Sequence, residues 1–230
     1  MGKTAVIIGA SGGIGTALVE RLKADPRFGH VVGCSRDGTS DILCDPTNPD
    51  DLANLAERIG APVHHIIVTT GMLHDGSQQP EKSWRALDTD DLARSFAINT
   101  IAPIMAIKAL LPLVPKGERA VIAGLSARVG SISDNRTGGW YGYRASKSAL
   151  NQLIRTLAID LARSHPDLIC VGLHPGTVDT CMSKPFQRGV SADKLFIADF
   201  SAQSMLAVLD GLSPAESGRI FAWDGAEITP

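Results

Sequence analysis

Along this chain, short runs that are apolar at nearly every position alternate with segments whose apolar residues recur every three or four positions. The runs are 4–9 (TAVIIG), 30–35 (HVVGCS), 41–44 (DILC), 64–70 (HHIIVTT), 119–126 (RAVIAGLS), 168–174 (LICVGLH) and 219–223 (RIFAW). Continuous apolar character rich in Val and Ile predicts strands buried on both faces. Between them, segment 15–24 continues a helical face on which Ile14, Leu18 and Leu22 fall together. Helices are also predicted over 50–59, 90–114 and roughly 140–164, with Asp50 or Asp51 and Thr89 as candidate N-caps. Seven strands alternating with helices predict an α/β fold in which residues 1–230 form one domain around a mostly parallel sheet. Ligands of such sheets sit beyond the carboxyl ends of the strands.

Composition narrows the classes without choosing among enzymes. With 230 residues, 44% apolar and 20% charged, the chain has the makings of a sizeable core and not of a disordered segment. A net charge of −2 gives no electrostatic reason to expect a nucleic-acid partner. The opening MGKTAVIIGA is too briefly apolar for a signal peptide, and the apolar stretch 101–114 carries Lys108 and two prolines, which argues against a membrane span. Cys34, Cys44, Cys170 and Cys181 show no metal-binding spacing, nor do the six histidines, so no metal site is expected. The expected setting is a reducing cytoplasm.

The first strand runs into Gly9-Ala10-Ser11-Gly12-Gly13-Ile14-Gly15 and then a helix. Glycines there let the backbone approach a pyrophosphate, and the helix N-terminus supplies free N–H groups. No Gly-Lys-Ser/Thr follows, which excludes a Walker-type loop. The second strand ends in Ser35-Arg36. A carboxylate at its end would hold a ribose 2′-hydroxyl, whereas an arginine accommodates a 2′-phosphate. Arg36 therefore points to NADP(H) rather than NAD(H), the alternative being Asp37 as the ribose partner. Further on, Tyr143 and Lys147 stand four apart in YGYRASK, one turn along a helix face. A free phenol titrates near ~10, and a neighbouring ammonium lowers that value toward the useful range for acid–base work.

These motifs together resemble the short-chain dehydrogenase/reductase family over essentially the whole chain. GGWYGYRASKSALNQL and HPGTVDTCMSKPFQ are similar to its C-factor and Sniffer-like carbonyl-reductase branch. The resemblance implies a Rossmann-type sheet of order 3-2-1-4-5-6-7 and NADP(H)-dependent exchange of a carbonyl and an alcohol. It implies Tyr143 as the proton-transfer group, with Lys147 lowering its pKa and holding the nicotinamide ribose. Ser126 would bind the substrate oxygen, with Ser131 as the fallback, and Asn99 would support a water-linked proton path to Lys147. Cofactor contacts fall to Gly9, Ser11, Gly12, Gly13, Ile14, Gly15, Ser35, Arg36, Asp45, Thr70, Gly71, Pro175, Gly176, Val178 and Thr180, besides Tyr143 and Lys147.

Three departures from the family pattern stand out. Thr69-Thr70-Gly71 replaces Asn-Ala-Gly, Ile8 precedes the first glycine in place of Thr, and Ser126 stands 17 positions before Tyr143 where about a dozen is usual. Phe186, Phe196 and Phe200 either form an apolar lid or pack on the sheet. The expected partner is a small carbonyl or alcohol, with no nucleic acid and no membrane, in a protein that relatives suggest forms homodimers or homotetramers. A second reading is a dinucleotide-binding signalling protein of the C-factor kind with little turnover. The substrate itself is not legible, because loops 71–88 and 181–203 carry no translatable motif.

Overall fold

The structure is a computed structural model that describes residues 2–230. Among the described residues nine strands form in chain order: β1 (Lys3–Ile8), β2 (Phe28–Ser35), β3 (Ile42–Leu43), β4 (His65–Val68), β5 (Ala120–Leu125), β6 (Leu168–His174), β7 (Thr177–Val178), β8 (Leu195–Phe196) and β9 (Ile220–Ala222). Seven of them make one parallel sheet of order β3-β2-β1-β4-β5-β6-β9, the order expected, since β9 is the seventh strand of that sheet. β7 and β8 pair separately as a short parallel ribbon that the sequence pattern did not announce.

The helices are α1 (Gly13–Ala24), α2 (Pro49–Ala53), α3 (Leu55–Ile59), α4 (Thr89–Phe96), α5 (Ala102–Leu110), α6 (Tyr141–Leu161) and α7 (Ala198–Gly211). Alternation along the strands decides which helix packs where. Val6, Ile8, Ile66, Val68 and Ile122 face a core shared with α2, α3, α5 and α6. Ala5, Ile7, Ile67, Val121 and Ala123 face the opposite core, under α1 and α7. The central strands β1, β4, β5 and β6 are thus buried on both sides, which is why their sequence is apolar almost throughout.

Four local readings need correction. The helix predicted over 50–59 is broken at Asn54 into α2 and α3. Its N-cap is Asn48, whose side chain accepts from Asp50 N–H ahead of Pro49. The cap of α4 is Asp88 rather than Thr89, because the Asp88 carboxylate accepts from Asp90 and Asp91 N–H. α7 went unpredicted, although its buried Ser201, Ala202, Met205 and Leu209 keep helical spacing.

The segment Thr89–Leu113 is long and apolar enough, by length and composition, to cross a membrane. Here Ala106, Ile107 and Leu110 on α5 are fully buried in the sheet core. Between α4 and α5 the backbone widens into a π turn over Ala97–Ile101. Pro103 explains the widening: it has no N–H for the Asn99 carbonyl four residues back, and its ring crowds that carbonyl.

Candidate active site

Strand register brings the chemistry to one edge. Ile8 lies beside Cys34 and Val68, Val68 beside Gly124, and Gly124 beside Gly172. The five loops that leave these strand ends therefore converge where the order reverses between β1 and β4, the usual crevice of such sheets.

The first turn is built for close approach. Gly9 has φ +89°, and a Cβ there would lie 2.6 Å from Thr69 Oγ1. Gly15 has no room for a side chain either, since a Cβ would lie 2.2 Å from the Gly9 carbonyl oxygen. Thr69 takes over the work of the missing Asn: its hydroxyl donates to the Ile8 and Gly9 carbonyls at 2.9 and 3.0 Å. Thr16 Oγ1 donates to the Ala10 carbonyl at 2.9 Å, which ties the turn that Ile8 cannot. Gly12 and Gly13 open α1 with Ser11 and Ile14 beside them, and the turn after β6 returns over them. A Cβ on Gly13 would stand 3.0 Å from Thr180 Cγ2. In that returning turn Gly176 has φ +79°, Pro175 accepts from the Ser201 hydroxyl at 2.7 Å, and Val178 is buried.

At the end of β2 the two candidate ribose residues separate. Asp37 Oδ1 is already engaged by Ser35 Oγ at 2.7 Å, Thr39 N–H at 3.1 Å and Thr39 Oγ1 at 2.8 Å. Those donors, with Ser11, hold its carboxyl well below the usual carboxylate range. Arg36 next to it is exposed, with no hydrogen bond or ion pair to another described side chain. Asp45 behaves as a turn residue, its Oδ1 accepting from Thr47 N–H at 2.9 Å and Thr47 Oγ1 at 2.7 Å. The Thr70 hydroxyl is buried beside the first turn without a partner. An orphaned hydroxyl, an uncovered glycine turn and an unpaired arginine at one strand edge fit a phosphorylated dinucleotide.

Tyr143 and Lys147 share one face of α6. Lys147 is buried, its Nζ donating to the Leu125 carbonyl at 2.8 Å and lying 5.9 Å from the Tyr143 ring centroid. Burial pushes the Tyr143 phenol up to about 12 and the Lys147 ammonium down to about 8. The expected lowering of the phenol is thus reversed in the protein alone, because desolvation disfavours both charged forms and Lys147 is turned toward a backbone oxygen. Tyr141 is exposed and faces elsewhere.

Asn99, fully buried, clamps the loop after β4. Its amide accepts from Met72 N–H at 2.7 Å and donates to the Met72 carbonyl at 2.8 Å and Ser146 Oγ at 3.1 Å. Gly71 lies between Asn99 and Lys147; a Cβ on it would be 3.3 Å from Lys147 Nζ and 3.4 Å from Asn99 Oδ1. Ser126 follows β5, with its N–H on the Leu173 carbonyl and its hydroxyl on Asn151 Oδ1 at 2.5 Å. Ser131, the fallback, is engaged locally: its hydroxyl accepts from Asp134 N–H and lies 3.4 Å from Ser133 Oγ.

Sequence reasoning missed three neighbours of this cluster. Glu81 is buried, and its carboxylate accepts from Gly142 N–H in the first turn of α6 at 3.2 Å, favourable at the positive end of a helix. Nothing local in its loop announces a partner 61 positions away. Trp140 begins α6 in a left-handed conformation, φ 53°, with its ring centroid 6.3 Å from that of Tyr143. Asn151, one turn past Lys147, was signalled only by its spacing. The three phenylalanines divide between the two readings given them. Phe186 packs edge-on against Trp140 and His74 near Tyr143, whereas Phe196 and Phe200 pack on Trp223 beside the sheet edge.

With this geometry in view, the family model for short chain dehydrogenases matches residues 3–190, and the chain belongs to that family of oxidoreductases. Within it, the chain stands in the C-factor and Sniffer-like branch. It is 40% identical to C-signal of Myxococcus xanthus over 149 residues, 63% of this chain and 84% of that one. Among solved structures, carbonyl reductase Sniffer of D. melanogaster is similar with TM-score 0.85 and 25% identity, each chain covered in full. A short-chain dehydrogenase/reductase of Burkholderia multivorans with bound NADP is similar with TM-score 0.82 and 27% identity, again with full coverage of both chains.

Proposed function

We propose that this protein is an NADP(H)-dependent carbonyl reductase acting on a small aldehyde or ketone, with Tyr143 as the proton donor. The observation that carries the reading is the placement of a half-buried Tyr143 beside a buried Lys147 on one face of α6, at the strand ends that also hold the open glycine turn. Gly9, Gly12, Gly13, Gly15, Ser11 and Ile14 would hold the pyrophosphate side. Ser35, Arg36, Asp45 and Thr70 would hold the adenosine side, and Gly71, Lys147, Pro175, Gly176, Val178 and Thr180 the nicotinamide side. Arg36, which pairs with no other described side chain, suits a 2′-phosphate, while Oδ1 of Asp37 already serves the turn. When bound, this cofactor supplies the hydride.

A phenol kept protonated up to about 12 is in the right state at neutral pH to give its proton to a developing alkoxide. The Lys147 ammonium stabilises the negative charge that this leaves on the tyrosine oxygen. Ser126 donates to the substrate oxygen by turning its one hydroxyl proton away from Asn151 Oδ1, and Asn99 keeps the loop after β4 closed against Lys147. Trp140 and Phe186 form an aromatic wall on the substrate side. Tyr143→Phe is expected to abolish carbonyl-dependent NADPH oxidation while NADPH binding, read by fluorescence titration, stays within about twofold. Retained turnover would refute the assignment.

Similarity to C-signal favours a second reading, a dinucleotide-binding signalling protein with little turnover. Binding of NADPH without oxidation across a panel of aldehydes and quinones would select it.

A further inference from the structure

We infer that His74 is a positioning residue that latches the loop 180–194 over the substrate side of the site; the inference rests on the reductase reading above. The loop hangs from a narrow foot. Its two ends are β7 and β8, whose register pairs Thr177 with Leu195 and Val178 with Phe196, and Asp179 N–H donates to the Phe196 carbonyl at 2.8 Å. Phe196 packs on Trp223 with 4.5 Å between ring centroids, which fixes the foot to the sheet edge. Within the loop the bonds are its own: Gln187 Nε2 donates to Asp179 Oδ1 at 2.8 Å and to Ser183 Oγ at 2.9 Å. Among the described residues a single hydrogen bond joins 180–194 to anything outside 177–196. It runs from His74 Nε2 to the Met182 carbonyl at 3.0 Å.

A carbonyl oxygen can only accept, so this contact requires a proton on Nε2 of His74. The same ring meets Phe186 edge-on, with 5.3 Å between centroids. Phe186 meets Trp140 at 5.2 Å, and the Trp140 ring stands 6.3 Å from that of Tyr143. His74 is itself well placed to act as a fixed point, because Asn99 holds Met72, two residues earlier, by both its backbone groups. The loop after β4 thus carries an anchored donor that holds the opposite loop, and the Phe186 ring on it, toward the proton donor. One hydrogen bond and one aromatic pair together shift a closing equilibrium by about tenfold, enough to keep the loop shut and little enough to let substrate pass.

The test compares wild type, His74→Leu and His74→Gln, each saturated with NADPH, by carbonyl-reduction kinetics and by limited trypsin digestion. Arg188 is exposed in the loop, so cleavage after it, followed by mass spectrometry, reports how much of the time the loop stands open. His74→Leu is expected to raise KM about tenfold with kcat within about twofold, and to speed the cleavage about tenfold. His74→Gln keeps an N–H donor at similar reach and should bring both readouts to within about threefold of wild type. His74→Ala takes the place of the leucine variant if that one does not fold. Unchanged KM and cleavage in the variant lacking the donor overturn the inference. Equal losses in the leucine and glutamine variants overturn it too, because they make ring packing alone responsible. A wild-type protein that binds NADPH but reduces no carbonyl overturns the reductase reading, and the trypsin comparison then still decides whether His74 latches the loop.

Discussion

Replacing Lys147 by Met tests how the buried ammonium weighs on the fold. Lys147 is almost inaccessible, and desolvation takes its pKa from 10.5 to about 8. At about 1.4 kcal/mol per pH unit, that difference amounts to about 3 kcal/mol of stability. Because the folded value is the depressed one, the unfolded chain binds the extra proton between pH 8 and 10.5. Stability of the wild type therefore falls as the pH drops from 10.5 to 8 and levels off below that. Roughly 2 kcal/mol of the change should lie between pH 7 and 9.5 by the same relation. Lys147→Met removes the titration, so the variant should be the more stable protein at pH 7 by up to about 3 kcal/mol, reduced by the lost bond to Leu125. The assay is urea unfolding of both proteins, free of cofactor, at pH 7, 8, 9 and 9.5, compared by difference so that shared titrations cancel. Parallel curves, or a variant less stable at pH 7, would show that Lys147 is solvated or ion-paired and would remove the physical basis for its burial in the site.

Arg36→Ala should weaken NADPH binding about ten- to a hundredfold and leave NADH binding nearly unchanged, since only the former offers a charge for the guanidinium; equal losses for both would return the ribose to Asp37. Glu81→Leu should cost about 1–3 kcal/mol in urea unfolding, because it strips the acceptor from the first turn of α6, and kcat should fall with it. Gly142→Ala, a change that ordinarily stabilises a helix by about 1 kcal/mol, should here destabilise. Its methyl would sit 2.9 Å from Glu81 Oε1 and 3.0 Å from Ser95 Oγ, and thermal melting of the variant above the wild type would contradict that packing.

Much of the fold was legible because burial on both faces writes strands in continuous Val and Ile, and those runs survive in all seven strands of the sheet. The edges were less legible. Asn48 before Pro49 and Asp88 before Thr89 carry cap signals, but neighbouring Asp and Thr residues carry the same chemistry, and only geometry tells which oxygen reaches the N–H groups. α7 hid because its buried face is largely small or polar, Ser201 and Ala202 among it. At the site, Tyr143 and Lys147 were readable as a four-residue spacing within one helix. Glu81, which meets Gly142, and Asn99, which holds Met72, act through contacts between distant segments that no local pattern encodes. The sense of the Tyr143 shift was also hidden, since it depends on how little water surrounds the pair.

Gly138, Gly139 and Trp140 all have positive φ, and the chain between β5 and α6 ends in this reversed-hand kink. On one side Ser126 is anchored to β6 and to α6; on the other, α6 is seated on Glu81. The intervening stretch is itself tied to α6, since the Gly130 carbonyl accepts from the Ser148 hydroxyl and Arg144 donates to the Val129 carbonyl and the Thr137 hydroxyl. Such ties fold the extra residues back along the helix, which is how a serine spaced unusually far from its tyrosine can still belong to the same reacting ensemble.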